Sequence, residues 1–323
     1  MELNGARVLV TGGAGFVGSH LVDALVGVGA LVTAIDNLQA GSMGNLVAST
    51  NHIRFVPVDV RDFQGVREVS KGQHLIFHLA ANASVPNSVS DYKYDFETNV
   101  VGTFNVLRSA IESGVGRVVF ASSAAVYGNP SYVPVDECHP LAPVSPYGAT
   151  KMAAETMGLV YGKTYGLDFV SVRIFNTFGT RLTRFVMYDL ISKLLKDPTN
   201  LEVLGDGTQV RDYCYITDAV RALLLLATSD RASGQAYNLA GGNPITIRDL
   251  VSLLLDVLEL SRVRVRYTGQ SWKGDIDQLV ANTGKIQELG FKPETGLREG
   301  IVRMAESLWT PARQPKPSMS PQD

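Results

Sequence analysis

Tyr147 and Lys151, in the run Tyr147-Gly148-Ala149-Thr150-Lys151, are the chain's best-spaced candidates for proton chemistry. Residues four apart share one face of a helix. Pro146 just before them suits a helix entrance. A free phenol, with a pKa of about 10, is a poor base at neutral pH. A neighbouring ammonium favours the phenolate and lowers that value. Tyr147 could then take a proton from a substrate hydroxyl. Upstream, Ser122-Ser123-Ala124-Ala125-Val126-Tyr127-Gly128 follows an apolar run over 118–121. A hydroxyl at the end of such a strand points into the crevice that sheet ends form. Ser123 would hold the same substrate hydroxyl in line. Alone, Tyr-x-x-x-Lys recurs by chance on helices, and paired serines often make only a turn. Their order behind a glycine-rich run gives them weight.

That run is Arg7-Val8-Leu9-Val10-Thr11-Gly12-Gly13-Ala14-Gly15-Phe16-Val17-Gly18. An apolar strand empties into glycines spaced three apart, and an apolar helix pattern follows. The layout suits a dinucleotide pyrophosphate on a helix N-terminus. Gly12 allows the tight turn, Gly15 lets the backbone approach the phosphates, and Gly18 lets the helix pack on the strand. A second apolar run, 31–35, leads into Asp36, where a ribose-binding acid belongs. An Asp there accepts from a ribose 2′-hydroxyl and repels a 2′-phosphate, which favours NAD over NADP. The positive nicotinamide of NAD⁺ would join Lys151 in favouring the Tyr147 phenolate while hydride leaves the sugar.

These residues need a frame that places strand ends together. Short apolar runs predict strands at Arg7–Thr11, 31–36, 53–58, Leu75–His78, 117–122 and Asp168–Ile174. Helices are predicted to start near Gly15, Arg61, Tyr94, Tyr147 and Thr217. Such alternation implies an α/β fold with a doubly wound parallel sheet and right-handed crossovers. After about Asn176 the alternation loosens into turn-rich pieces such as Leu204-Gly205-Asp206-Gly207. A helix over 246–258 and a strand over 263–267 are expected there. The expected division is a dinucleotide-binding domain over 1–176, to which part of 211–240 returns, and a smaller substrate domain over 177–309. The Pro-, Ser- and Gln-rich stretch 310–323 is expected to be disordered.

Composition sets the class. A chain of 323 residues, 45% hydrophobic and 19% charged, has ample material for a buried core. A net charge of −2 without basic clustering argues against a nucleic-acid or membrane-surface binder. No apolar run is long enough to cross a bilayer. The first strand begins too early for a signal peptide. Cys138 and Cys214 lack metal-ligand spacing, read as free thiols, and place the chain in a reducing, cytoplasmic compartment. No metal is expected.

Taken in order, these motifs resemble the extended short-chain dehydrogenases/reductases of the nucleotide-sugar epimerase/dehydratase family, whose fold is Rossmann-type. The resemblance spans residues 7–308. It adds Val58-Asp59-Val60, His78-Leu79-Ala80-Ala81, Arg173-Ile174-Phe175-Asn176-Thr177-Phe178-Gly179, Gly205-Asp206-Gly207, Val210-Arg211-Asp212-Tyr213 and Tyr237-Asn238-Leu239. It implies that Gly12, Gly15, Phe16, Val17 and Gly18 cradle the pyrophosphate. Asp36 and Asn37 would hold the adenosine ribose, and Asp59 and Val60 would meet the adenine. Ala80 and Ala81 would line the path to the nicotinamide, braced by Asn99. Lys151 would also bond the nicotinamide ribose. Ser123, Tyr147 and Lys151 would be catalytic. Ser84, Ser123, Ala124, Tyr147, Asn176, Arg211 and Asp275 would meet the nucleotide sugar, and a UDP-sugar is the expected substrate. The resemblance also implies a homodimer through helices near 99–113 and 149–165.

Ala124-Ala125 selects among the reactions the resemblance leaves open. The family's 4,6-dehydratases carry Asp-Glu there, and two methyl groups do no acid–base work. The oxidative decarboxylases usually carry a nearby glutamate, and none stands here. A UDP-hexose 4-epimerase is the expectation. Another dehydratase, a decarboxylase, a ketosugar reductase and a non-catalytic NAD-sensing protein on the same fold remain as alternatives. Two departures stand out. Trp272 occupies the place of an Arg expected three residues before Asp275. Leu279 falls near the family's pocket-size position.

Overall fold

Arg7–Thr11 can be apolar on consecutive residues because both its faces are covered. Val8 and Val10 pack into one core and Leu9 into another. The structure, a computed structural model, describes residues 1–270 and 276–309. Its strands in the first half are β1 (Arg7–Thr11), β2 (Leu31–Ile35), β3 (Ile53–Val56), β4 (Leu75–His78), β5 (Arg117–Ser123) and β6 (Asp168–Ile174). Then come β7 (Asn176–Phe178), β8 (Asn200–Val203), β9 (Val210–Tyr215), β10 (Ala236–Leu239), β11 (Pro244–Thr246), β12 (Arg264–Tyr267) and β13 (Gln278–Leu279).

The central sheet has seven strands in the order β10-β6-β5-β4-β1-β2-β3, all parallel. It is the doubly wound Rossmann-type sheet expected. Helices Phe16–Gly27 and Ile216–Thr228 cover one face through Leu21, Leu25, Ala219 and Leu223. Helices Phe63–Ser70, Gly102–Glu112 and Pro146–Tyr165 cover the other through Val66, Val106, Leu107 and Ala154. The strand order reverses between β1 and β4, so the ligand crevice opens at their carboxyl ends.

Beyond β6 the chain builds smaller sheets. β9 pairs with β7, β11 and β13, and β12 pairs with β8. This brings Asn176 opposite Tyr213 and Leu279 opposite Arg211. The expected helix 246–258 is Ile247–Val257, and the expected strand 263–267 is β12.

Several boundaries differ from expectation for local reasons. β2 stops at Ile35 because the Asp36 carboxylate turns back to accept from the backbone N–H groups of Ala14 (3.0 Å) and Leu38 (2.7 Å). The single helix expected from Tyr94 is three pieces, Tyr92–Phe96, one wide π turn over Glu97–Val101, and Gly102–Glu112, with a separate short helix Val85–Ser90 before them. The expected disordered stretch 310–323 lies outside the described residues. Among the described residues, no helix is long and apolar enough to cross a membrane, and no acidic, His or Cys cluster suits a metal. Cys138 is exposed and Cys214 buried, both as free thiols.

A buried ion pair ties helix Pro146–Tyr165 to the sheet. Arg173 on β6 donates to Glu155 on helix Pro146–Tyr165 through Nη2 (2.6 Å) and Nε (3.0 Å). Ser171 donates to the same carboxylate, and Arg173 Nη1 reaches the Tyr127 hydroxyl, which donates to Asn238 on β10. The two charged side chains are 6% and 1% exposed. Glu155→Ala would strand a buried guanidinium and is expected to cost roughly 3–5 kcal/mol. Glu155→Leu together with Arg173→Met should recover most of that loss. Chemical denaturation of both variants checks the pair of outcomes.

Candidate active site

One crevice runs along the carboxyl edge of the sheet, from the end of β2 past β1, β4 and β5 to β7, β9 and β13. Gly12, Gly15, Phe16, Val17 and Gly18 line it at the β1 end, with Asp36, Asn37 and Val60 beside them. Ala80, Ala81, Ser123, Ala124, Tyr147 and Lys151 line its middle. Asn176, Arg211 and Leu279 line the far end.

The glycines leave no room for side chains. Gly12 has φ +68°, and a Cβ there would lie 2.8 Å from the Ala80 backbone nitrogen. A Cβ on Gly18 would fall 2.0 Å from the Gly12 carbonyl oxygen. The turn and the N-terminus of helix Phe16–Gly27 are thus packed backbone on backbone, a cradle that fits a dinucleotide pyrophosphate.

Behind the cradle runs a directional hydrogen-bond chain. Thr103 donates to the Asn99 carbonyl (2.6 Å), so it accepts from His78 Nε2 (3.0 Å). His78 Nδ1 then accepts from the Thr11 hydroxyl (2.7 Å), which in turn accepts from the N–H groups of Leu79 and Ala80. Burial, and then the charge of Lys151, holds His78 neutral, with its pKa near 3. The chain locks the ends of β1 and β4 to the π turn.

Helix Pro146–Tyr165 begins as its sequence predicts. Ser145 caps it by accepting from Gly148 N–H (3.1 Å), Pro146 sits in the first turn, and Ser88 accepts from Tyr147 N–H (3.1 Å). Tyr147 and Lys151 lie one turn apart on the crevice side. The Lys151 ammonium sits 4.3 Å above the Phe120 ring. Burial pushes it down to about 7, while Glu155 and Asp95 pull it up. Tyr147 departs from the expected depression: burial raises its pKa, a hydrogen bond with Ser123 lowers it, Asp95 raises it and Arg184 lowers it. Lys151 is not among the groups that shift it. Arg184 lines the same stretch of crevice.

The other expected site residues divide between the crevice lining and the layer behind it. Asn99 is buried behind the wall: its Oδ1 accepts from Asn82 N–H (2.8 Å). Asp59 is held to about 2 by the Arg61 side chain and accepts from Asn37 (2.8 Å), while Val58 and Val60 line the crevice beside it. Ser84 is the cap of helix Val85–Ser90, accepting from Asn87 N–H, and its neighbours Ala83 and Val85 are the lining residues. Arg211 donates to the carbonyls of Val210 (2.9 Å) and Asp277 (3.4 Å). Asp275 and Trp272 lie outside the described residues. Arg181, in the Arg181–Arg184 segment that sequence reasoning offered as a substitute for the missing diphosphate arginine, lines the crevice and is tied by Asp23 (2.6 Å) to helix Phe16–Gly27.

A dinucleotide cradle with a Ser–Tyr–Lys set at the next strand ends defines an NAD-linked enzyme of the short-chain dehydrogenase/reductase class. Comparison with known proteins is more specific. The model of the NAD dependent epimerase/dehydratase family matches residues 8–240, and the chain belongs to that family. A putative UDP-glucose 4-epimerase from Methanocaldococcus jannaschii is 33% identical over 308 residues, covering 92% of this chain and 96% of that protein. A dTDP-glucose 4,6-dehydratase from Streptomyces griseus is 36% identical over 304 residues, 92% of each. The structure of a UDP-N-acetylglucosamine 4-epimerase from Methanobrevibacter ruminantium M1, in complex with UDP-N-acetylmuramic acid, superposes with a TM-score of 0.89 at 33% identity. It covers 94% of this chain and 98% of that one. NAD is the cofactor, and the glycine cradle with Asp36 fits it.

Proposed function

We propose that the chain is a nucleotide-sugar 4-epimerase acting on a UDP-hexose through a transient 4-keto sugar. One observation carries the reading. Among the described residues lining the crevice, Asp36 is the single carboxylate, and it stands at the cofactor end. The sugar half offers Ser123, Tyr147 and Lys151 with the methyl groups of Ala124 and Ala125 beside them. That set moves one proton at one hydroxyl, which is all an epimerisation at C4 requires. Elimination of water needs further acid–base groups. The relatives include dehydratases as well as epimerases, so the side chains in the pocket are the discriminating feature.

The roles follow from position. Ser123 and Tyr147 line the same stretch of crevice, and together they hold the C4 hydroxyl. Tyr147 takes its proton and returns it after the flat ketose has turned over. Lys151, buried one turn along, bears positive charge on the same face and bonds the nicotinamide ribose. Asn176 and Arg211 bind the diphosphate, where a guanidinium fork suits phosphate oxygens. Bound NAD supplies the hydride acceptor and then the donor. Asp36, Asn37, Val60, Ala80 and Ala81 keep it in register with the sugar.

A homodimer belongs to the same proposal. Phe104 and Val160, on the two helices named for its interface, are 38% and 50% exposed. Val106 and Leu107, by contrast, face the sheet and are fully buried.

Incubation with UDP-glucose, UDP-galactose, UDP-N-acetylglucosamine and UDP-glucuronate, followed by NMR, tests the reading. The expected result is interconversion of at least one C4 pair with no net NADH. Failure on all four with NAD retained would overturn it. Stoichiometric NADH consumption would indicate a reductase instead.

A further inference from the structure

Asp95 sits at the end of helix Tyr92–Phe96 with no exposed surface. Burial raises its pKa against the pull of its hydrogen bonds and, more weakly, of the Lys151 charge. Its Oδ1 accepts from the side-chain amides of Asn82 (2.9 Å) and Asn99 (3.1 Å). Its Oδ2 accepts from the Thr150 hydroxyl (2.7 Å). Among the described residues, no cation lies within ion-pair distance of it. A buried carboxylate normally has such a partner or is neutral. Here it has three neutral donors, each on a different element of the site. Asn82 follows β4 at the crevice wall. Asn99 lies in the π turn. Thr150 lies between Tyr147 and Lys151 and also bonds the Tyr147 carbonyl (3.0 Å).

We infer that Asp95 is a positioning residue, a buried anion that fixes the Tyr147–Lys151 turn against the crevice wall and supplies negative charge behind it. The inference rests on the reading of Tyr147 and Lys151 as the proton-transfer pair. The other groups around that pair do not duplicate it. Glu155 on the same helix is taken up by Arg173 and Ser171. His78 on β4 is neutral. Phe120 and Ser123 on β5 carry no charge. Arg184, after β7, is a cation facing Tyr147. Glu97 in the π turn is taken up by Arg61 and Lys93, which leaves Asp95 as the uncompensated negative charge on that side, and it acts on both members of the pair in the same direction. It raises the phenol and it raises the ammonium.

Asp95→Asn keeps the shape and removes the charge. Both pKa values should fall together, so the pH–rate profile of sugar interconversion should slide to lower pH by roughly half to one unit. At pH 8, kcat should drop several-fold, with KM for the nucleotide sugar unchanged. Thr150→Val removes the link and leaves the charge. It should lower kcat without sliding the profile. Melting temperature and NAD content of both variants serve as fold controls. An Asp95→Asn profile at the wild-type position, with kcat unchanged or falling only in step with thermal stability, would overturn the inference. The underlying reading is tested separately by Tyr147→Phe. If that variant turns over at the wild-type rate, the proton-transfer pair itself is misassigned.

Discussion

Tyr147→Phe is expected to reduce sugar interconversion by roughly 1,000-fold while leaving fold and NAD content intact. The variant loses one oxygen and keeps the ring, so packing in the crevice wall is undisturbed. What goes is the proton acceptor at the sugar hydroxyl and the partner of Ser123. Ser123 remains, but a serine hydroxyl is a far weaker acid than a phenol, so no alkoxide is available near neutral pH to accept the sugar's proton. KM should change little, because the diphosphate and nucleotide contacts lie elsewhere in the crevice. The measurement is single-substrate kinetics with NAD content read on the same sample. A residual rate within tenfold of wild type would remove Tyr147 from the proton step. The pH profile adds a signed check. Burial places the Lys151 ammonium near 7 in the protein itself, so its positive charge is lost as pH rises through that value. Activity that depends on this charge should decline on the alkaline side.

How much of this was legible in the sequence depends on whether the cause is local. The strands of the first half were legible because each is a continuous apolar run, buried on both faces between helices. The glycine cradle was legible because a tight turn and a close backbone contact each demand glycine at a fixed spacing. That Ser123, Tyr147 and Lys151 would meet in one crevice was legible from their spacing and order. Their electrostatics were not, because the fall of Lys151 and the rise of Tyr147 both come from burial by distant parts of the chain. Helix Phe185–Lys196 carries Met187, Leu190, Ile191 and Leu194 at helical spacing, yet it follows a turn-rich stretch that obscured its start. Phe185 opens it at φ +72°, which no residue-type rule anticipates. The strands β7, β9, β11 and β13 are short and exist only because they pair with one another, so nothing local announces them. Asp95 was invisible for a related reason. Its partners, Asn82, Asn99 and Thr150, come from three elements and meet only in the folded chain.

Gly18→Ala should be the most damaging single-carbon change in the cofactor half. The added Cβ would lie 2.0 Å from the Gly12 carbonyl oxygen and 2.9 Å from its carbon. Neither atom belongs to a flexible side chain, so helix Phe16–Gly27 must move off the turn. Overpacking of this kind costs about 1–3 kcal/mol, equivalent to a fall in melting temperature of roughly 1.5–4.5 °C for a chain of this size. The same displacement moves the helix N-terminus away from the pyrophosphate, so NAD affinity should fall on the order of 100-fold, or about 2.7 kcal/mol. Gly15→Ala separates the two effects. Its Cβ would meet only the Gly12 carbonyl, at 3.1 Å, a contact that a few tenths of an ångström relieves. That variant should keep most of its thermal stability and still lose NAD, because the methyl group stands where the phosphates approach. Differential scanning calorimetry and the NAD content of purified protein distinguish the cases. If Gly18→Ala retained both wild-type stability and a full complement of NAD, the backbone-on-backbone cradle would not be what holds the cofactor. The pyrophosphate would then have to rest on side chains, with Arg181 and Arg184 among the cations that line the crevice.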